Sequence, residues 1–152
     1  MIIPSPIGPL GIVADHEKIL GVYFEGTLDF SAIPTVNNKK LMQQLKQELK
    51  EYFSGQRKKF SIPYALRGTD FQIKVWQALA KIPYGQTRSY QEIAEALGSG
   101  ARAVGNACRM NPVPVIIPCH RVVAKNGLGG FAGKTQGKLC GIKKQLLMRE
   151  GI

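Results

Sequence analysis

The first part of the chain contains apolar residues in two kinds of pattern, one typical of β-strands and one typical of an α-helix. Two apolar runs, "LGIVAD" and "ILGVYFE", flank the polar tripeptide "HEK" and predict two strands of a β-hairpin or meander. The segment "NNKKLMQQLKQELKEYFSG" instead places Leu41, Leu45 and Leu49 on one helical stripe, and Asn37 or Asn38 can cap its start. After this helix, "KKFSIPY" could return as a short strand.

From Thr69 onward the apolar residues mainly follow the spacing of α-helices. "TDFQIKVWQALAKI" begins with the capping pair Thr69 and Gln72, and "SYQEIAEALG" has the same arrangement in Ser89 and Glu92, with Gly98 at its end. "ARAVGNACRM" predicts a third helix and "CGIKKQLLMREGI" a last one, with a possible hairpin turn at "NG" between them. The predicted buried stripe of the first of these helices consists of Phe71, Val75, Ala78, Leu79 and Ile82.

Two short helices joined by the glycine-containing turn "GSG" match a helix-turn-helix, in which the second helix enters a nucleic-acid groove. The second helix carries Arg102 near its start and Arg109 near its end, and it has no acidic residue. Its small residues, among them Ala103 and Gly105, would let the helix backbone approach DNA closely. These four residues are therefore candidate DNA contacts.

Charge strengthens this interpretation. Of the formal net charge of +11, residues 61–152 carry thirteen Lys or Arg against four Asp or Glu, which is +9. Between Glu95 and Glu150 the chain has nine basic residues and no acidic one. A field of one sign suits a polyanion such as nucleic acid, although a solvated basic face without a partner remains an alternative. The basic residues do not line one amphipathic helix, which argues against a membrane-surface role.

Composition excludes several classes of protein. No apolar run reaches the roughly 20 residues needed to span a bilayer, and the N-terminus lacks the pattern of a signal peptide, so a cytoplasmic protein is expected. Three cysteines at wide spacing argue against a disulfide framework. The two histidines, His16 and His120, lie far apart and there is no Cys-x-x-Cys pair, so no metal site is expected.

The stretch "IIPCHRVV" carries the strongest chemical signal. Cys119 needs a base, a cation or a helix N-terminus to act as a thiolate nucleophile, and His120 and Arg121 follow it directly. On an extended strand the side chains of Cys119 and His120 would point to opposite faces, so His120 can serve as the base only if the segment bends or a water relays the proton. Glu150, the only acid in the last 57 residues, is the candidate to orient the histidine. A buried thiol beside a surface histidine is the alternative.

"NPVPVIIPCHRVV", preceded by "ARAVGNACR" and "TRSYQEIA", resembles the active-site core of the O6-alkylguanine-DNA alkyltransferases (methylated-DNA–protein-cysteine methyltransferases). The resemblance is clear from Phe71 to Phe131 and plausible from Ser5 to Ile152. It implies an α+β protein with a small ribonuclease-H-like α/β subdomain at residues 1–66. A mainly helical, winged helix-turn-helix-like subdomain would follow at residues 67–152.

The family resemblance also implies an activity and a partner. The protein is expected to flip O6-alkylguanine, and less efficiently O4-alkylthymine, out of duplex DNA and to transfer the alkyl group irreversibly to its own cysteine. It is expected to act once per molecule, as a monomer, without a cofactor or an obligate protein partner.

Residue roles follow from the same resemblance, position by position. Cys119 is the alkyl acceptor, His120 the base acting through water, and Glu150 the residue that orients it. Asn111 braces the turn between recognition helix and active site, Tyr90 helps to rotate the nucleotide and can donate to the leaving guanine, and Arg102 fills the vacated stack. Arg121 is included among the DNA contacts.

The sequence departs from the family at Phe131-Ala132, where Tyr-Ser is common, so hydroxyl contacts to guanine are absent there. Different handling of benzyl and methyl groups, tested with Phe131→Tyr, is therefore expected. Three rival functions remain at this level: a non-catalytic alkyltransferase-like protein, a dimeric helix-turn-helix regulator and a cysteine hydrolase. The first is disfavoured by Cys119, the second would require a dimer interface, and the third would require an oxyanion hole.

Overall fold

The computed structural model describes residues 1–34, 37–130 and 137–152. The chain forms two compact units, Met1–Leu66 and Arg67–Ile152. Among the described residues, no helix is both long enough and apolar enough to cross a membrane.

The first unit is built on a small antiparallel sheet in the order β1-β2-β3. Leu10 pairs with Phe24 and Ile12 with Val22, and all four side chains are buried on the same side of the pleat. The predicted hairpin is thus confirmed. The elements of this unit are β1 (Ile2–Ile3), β2 (Leu10–Ala14), β3 (Ile19–Phe24) and α1 (Lys39–Phe53).

Helix α1 begins at the cap that the sequence predicted. The Oδ1 atom of Asn38 accepts from the amide of Leu41 at 2.9 Å, and its Nδ2 donates to the carbonyl of His16 in the β2–β3 turn at 2.5 Å. One side chain therefore both starts the helix and attaches it to the sheet.

The predicted strand in "KKFSIPY" is wrong, because this segment makes only a single parallel bridge between Tyr64 and Ile19. The amide of Ile19 donates to the Pro63 carbonyl at 2.9 Å, and the amide of Ala65 donates to the Ile19 carbonyl at 3.0 Å. Pro63 has no N–H of its own to donate to a longer ladder.

The second unit consists mainly of helices. Its elements are α2 (Asp70–Ala80), β4 (Arg88–Ser89), α3 (Tyr90–Leu97), α4 (Ala101–Arg109), β5 (Val122–Val123) and α5 (Lys138–Arg149). Both predicted capping boxes are present, at Thr69–Gln72 and Ser89–Glu92. Gly98 ends α3 in the left-handed conformation with φ 66°, which a glycine adopts without steric cost.

The predicted buried stripe of α2 differs from the observed one at three residues. Phe71 and Ala78 are only partly buried, whereas Trp76 is 1% exposed. The indole Nε1 of Trp76 donates to the carbonyl of Ala107 at 2.8 Å and so joins α2 to α4. A periodicity count alone places Trp76 beside the stripe, and the tertiary contact with α4 draws it into the core.

Two short strands bring the start of α3 close to the segment that follows Cys119. Strands β4 and β5 pair in parallel, with Arg88 opposite Val122 and Ser89 opposite Val123. The start of α3 at Tyr90 is thereby brought beside the chain that immediately follows Cys119. The hairpin predicted at "NG" is a tight turn closed by one antiparallel bridge, between Ala124 and Gly127.

Candidate active site

The loop before Cys119 is organised by Asn111. Its Nδ2 donates to the carbonyl of Ile117 at 2.9 Å, and its Oδ1 accepts from the amide of Val113 at 3.1 Å. Within this loop, Val115 has φ 73°, a left-handed conformation that is rare for a β-branched residue. A closed and strained turn therefore joins the end of α4 to Cys119.

Cys119, His120 and Arg121 form one 3₁₀ turn. The segment is therefore bent rather than extended. The three residues are 7%, 0% and 6% exposed, respectively. Burial raises the pKa of the Cys119 thiol, and the hydrogen bond from the Asn111 side chain and the charge of Lys143 oppose that rise.

Glu150, at the C-terminal end of α5, meets His120 across 30 residues of sequence. Its Oε2 lies 2.6 Å from Nε2 of His120, and its Oε1 accepts from Nε of Arg121 at 2.7 Å. A second Arg121 nitrogen, Nη2, donates to Oε2 at 3.1 Å, and the amide of Gly85 donates to Oε1 at 3.3 Å. This buried carboxylate thus has several donors, which a buried charge requires.

His120 presents one nitrogen without a partner. Burial lowers the pKa of His120, opposed by the hydrogen bond to Glu150, so the imidazole is neutral near pH 7. Because Nε2 faces a carboxylate it carries the hydrogen, and Nδ1 is then the acceptor. Among the described residues, Nδ1 of His120 is the one buried side-chain nitrogen or oxygen atom that lacks a hydrogen-bond partner. The arrangement is that of an oriented base with its lone pair available.

Arg121 does not lie where the sequence placed it. The sequence included Arg121 among the DNA contacts, but its guanidinium is buried, paired with Glu150, and Nη1 donates to the carbonyl of Ile82 at 2.7 Å. The guanidinium carbon also lies 5.7 Å from the centre of the Tyr84 ring. Since its donors are engaged inside the unit, Arg121 positions Glu150 instead of contacting a phosphate.

Sequence reasoning missed Lys143. Its side chain is 0% exposed, and Nζ donates to the carbonyls of Val122 at 2.7 Å, Leu128 at 2.7 Å and Gly130 at 2.9 Å. Burial lowers the pKa of Lys143 to about 8, opposed by its interaction with Cys119. The available signal was its position in α5, one turn from Leu147 and two turns from Glu150, on the buried side of the helix.

Tyr90 lies beside this lysine. Its hydroxyl donates to the Gly130 carbonyl at 3.4 Å and accepts from Nζ of Lys143 at 3.5 Å. Burial raises the pKa of Tyr90, with smaller contributions from the nearby thiols, so the phenol keeps its proton. A Cβ on Gly129 would lie 2.9 Å from the Tyr90 ring, and φ there is 75°. Gly129 is thus required for this packing.

Among the described residues, no side-chain hydrogen bond or ion pair joins the predicted DNA contacts on α4 to this network. Arg102, Ala103 and Arg109 are exposed and Gly105 is half-buried. Cys108, on the opposite face, is buried, and burial raises the pKa of its thiol to about 12, which leaves it protonated at neutral pH. Phe131 and Ala132 lie outside the described residues. Among the residues that the structure describes, no group of three His, Cys, Asp or Glu side chains could hold a metal ion.

Comparison with known proteins covers both units. Residues 1–66 match the model described as "6-O-methylguanine DNA methyltransferase, ribonuclease-like domain", and residues 70–152 match "6-O-methylguanine DNA methyltransferase, DNA binding domain". These matches agree with the α+β organisation expected from the sequence.

Individual relatives agree with this assignment. The constitutive methylated-DNA–protein-cysteine methyltransferase of Bacillus subtilis is 44% identical over 137 residues, covering 85% of this chain and 83% of that protein. The methylated-DNA–protein-cysteine methyltransferase of Methanosarcina acetivorans is 41% identical, covering 99% of this chain and 96% of its own. The crystal structure of Mycobacterium tuberculosis OGT in complex with DNA superimposes with a TM-score of 0.84 at 38% identity, covering 98% of this chain and 90% of that one.

Proposed function

The chain belongs to the 6-O-methylguanine DNA methyltransferase family and is a methylated-DNA–protein-cysteine methyltransferase that repairs DNA by alkyl transfer, and we propose that Cys119 is the residue that accepts the alkyl group. The observation that carries this proposal is the network around Cys119. A neutral histidine directly follows the cysteine, it is oriented by a buried carboxylate, and its Nδ1 is available to take a proton.

In the proposed reaction the thiolate of Cys119 attacks the alkyl carbon of O6-alkylguanine. The new carbon–sulfur bond forms as the bond between that carbon and O6 breaks, and the electron pair of the broken bond stays on the guanine. The thiol proton passes to Nδ1 of His120 through a water, and the leaving guanine takes up a proton, so the net products are an S-alkyl cysteine and guanine. Glu150 stabilises the imidazolium while it carries the proton.

In the proposed reaction Tyr90 acts on the leaving guanine and Lys143 acts on the thiolate. Because the pKa of Tyr90 is raised, its hydroxyl holds a proton that it can donate toward the departing guanine. Lys143 lies within 3.5 Å of that hydroxyl and provides positive charge near the developing thiolate. The thioether offers no good leaving group, so each protein molecule reacts once.

The alkylated base must leave the duplex to reach this buried cysteine. We infer that α4 faces DNA and that the flipped nucleotide enters beside Tyr90, with O6-alkylguanine preferred over O4-alkylthymine. In this proposal Arg102, which is exposed at the start of α4, fills the vacated stack, while Ala103 and Gly105 allow close approach. Arg109 adds a phosphate contact, which predicts salt-dependent affinity.

The decisive experiment is intact mass and peptide mapping after reaction with duplex DNA that contains one O6-methylguanine. The expected result is one added methyl group, located on Cys119, that saturates at one per protein molecule. The variant Cys119→Ser should bind the lesion and gain no mass, and Cys108→Ser is the matched control that should react like the wild type. Methylation of another residue, or turnover beyond one methyl per molecule, would contradict the proposal.

A further inference from the structure

The exposed face of α4 carries one residue whose chemistry differs from its neighbours. Arg102, Asn106 and Arg109 are exposed at helical spacing, whereas Val104 and Cys108 are buried on the opposite face. Asn106 lies one turn after the first arginine and one turn before the second. It therefore sits at the centre of the face that the proposed function directs toward DNA.

The amide of Asn106 is free to bind something outside the protein. Within the described parts of the chain its side chain makes no hydrogen bond, ion pair or electrostatic interaction. Its two arginine neighbours on this face offer hydrogen-bond donors only, whereas Asn106 offers both an acceptor, Oδ1, and a donor, Nδ2. Of these three side chains, Asn106 is the one that can accept a hydrogen bond from a ligand.

Helix stability does not explain this choice of residue. Gly105 and Asn106 are both poor helix formers, yet they lie side by side within a helix of nine residues. A Cβ on Gly105 would come no closer than 3.9 Å to another atom, so packing inside the unit does not require a glycine there. Where local choices weaken an element without an internal gain, a functional constraint is the expected cause.

We propose that Asn106 reads a base edge next to the lesion, an inference that rests on the proposed function of α4. Its Oδ1 accepts from an exocyclic amino group of a base, and its Nδ2 donates to a neighbouring acceptor on the same edge. In the minor groove that amino group is guanine N2, and in the major groove it is adenine N6 or cytosine N4. The protein would then repair a lesion faster in one flanking sequence than in another.

The test compares duplexes that share one O6-methylguanine and differ in the base pairs on either side of it. Single-turnover methyl transfer and duplex affinity are measured for the wild type, for Asn106→Ala and for Gln77→Ala, which removes an exposed amide from α2 as the matched control. We expect the wild type and the control to discriminate between flanking sequences by roughly tenfold and Asn106→Ala to lose that discrimination. Melting temperatures verify that each variant is folded.

Base analogues identify the groove. A duplex in which inosine replaces guanine lacks the N2 amino group, and one in which nebularine replaces adenine lacks N6. A third, in which 2-pyrimidinone replaces cytosine, lacks N4. Whichever analogue slows the wild type about as much as the alanine substitution does, without slowing the variant further, marks the group that Asn106 contacts. Discrimination that no single analogue removes would overturn a direct contact.

Failure of this inference is distinct from failure of the proposed function. If the wild type methylates Cys119 and Asn106→Ala keeps the same preference among flanking sequences, base reading by Asn106 is wrong. A loss of affinity that is uniform across all sequences would overturn it too, because that is the behaviour of a phosphate contact. If the wild type transfers no methyl at all, the proposed function fails, and relative affinities for lesion-free duplexes still decide the role of Asn106.

Discussion

Among the described residues, each of the two units buries one carboxylate, and the two carboxylates have partners of different kinds. Glu48 in the first unit is 2% exposed and accepts from the amides of Ser61 and Ile62 at 2.7 and 3.0 Å. Glu150 in the second unit is 6% exposed and accepts from His120 and Arg121. Both stabilise a segment remote in sequence, but only the second carboxylate is bonded to a group that can take up and release a proton.

Burial of a charge is therefore a poor sign of function by itself. The partners of Glu48 are backbone amides, the Gln44 amide, the Ser61 hydroxyl and one guanidinium nitrogen of Arg57, and all of them keep the same charge at every physiological pH. The imidazole beside Glu150 has a second nitrogen without a partner in the described part of the chain. A carboxylate joined to a titratable group with a free position is the arrangement that supports chemistry.

The largest expected difference between the two carboxylates is in reaction rate. Glu150→Gln keeps the size of the side chain but no longer stabilises an imidazolium, so methyl transfer should slow by about 10³. Glu48→Gln should leave the rate of the folded protein unchanged. Single-turnover methyl transfer to each variant measures this, and equal slowing in both would remove the distinction.

The next effect concerns the two arginines and folding stability. Arg121→Ala leaves Glu150 buried without its guanidinium partner, and the free energy of unfolding should fall by about 3 kcal/mol. Arg57 is 28% exposed in its pairs with Glu48 and Glu51, so Arg57→Ala should cost much less. Urea denaturation compares the two variants. A loss of DNA affinity in folded Arg121→Ala without loss of stability would instead restore Arg121 as a DNA contact.

A smaller change in rate is expected at Lys143. Lys143→Met keeps the chain length but removes the donor that holds the carbonyls of Val122, Leu128 and Gly130, together with a charge near Cys119. Loss of a charged hydrogen-bond donor predicts roughly tenfold slower methyl transfer. Lys144→Met, which changes the exposed neighbour, is the control. Equal rates in the two variants would show that Lys143 is structural only.

The smallest expected effect is a difference between the two units in how their stability depends on pH. Burial lowers the pKa of His120 below its unfolded value of 6.5, so the unfolded chain binds more protons, and stability falls as the pH drops below about 6.5. For Glu48, burial raises the pKa, but hydrogen bonds from Gln44, Ser61 and Ile62 and the charge of Arg57 outweigh it. Its net pKa is lowered, and its contribution is lost only below about 4.5.

Unfolding free energies measured from pH 7 to pH 4 test these two windows. His120→Gln should flatten the decline that begins near pH 6.5, with His16→Gln as the histidine control. Glu48→Gln should alter only the more acidic part of the curve. A decline near pH 6.5 that is the same in His120→Gln and the wild type would exclude His120 as its cause.

Much of the second unit was predictable because its signals are local. The capping boxes at Thr69 and Ser89 and the glycine at Gly98 each depend on groups a few residues apart, so they formed as predicted. The motif around Cys119 likewise indicated the family to which the chain belongs. Tyr64 was predicted within a strand and forms only one bridge, since Pro63 breaks the ladder whatever the apolar pattern around it.

The sequence by itself determined where the helices begin and end and to which family the chain belongs. Only the tertiary structure decided that Arg121 faces Glu150 inside the unit, that Trp76 reaches the carbonyl of Ala107, and that Lys143 is buried among carbonyls. Caps and periodic stripes depend on neighbours within a turn. The direction of a long polar side chain depends on which backbone groups, 13 to 39 residues away here, are left without a partner.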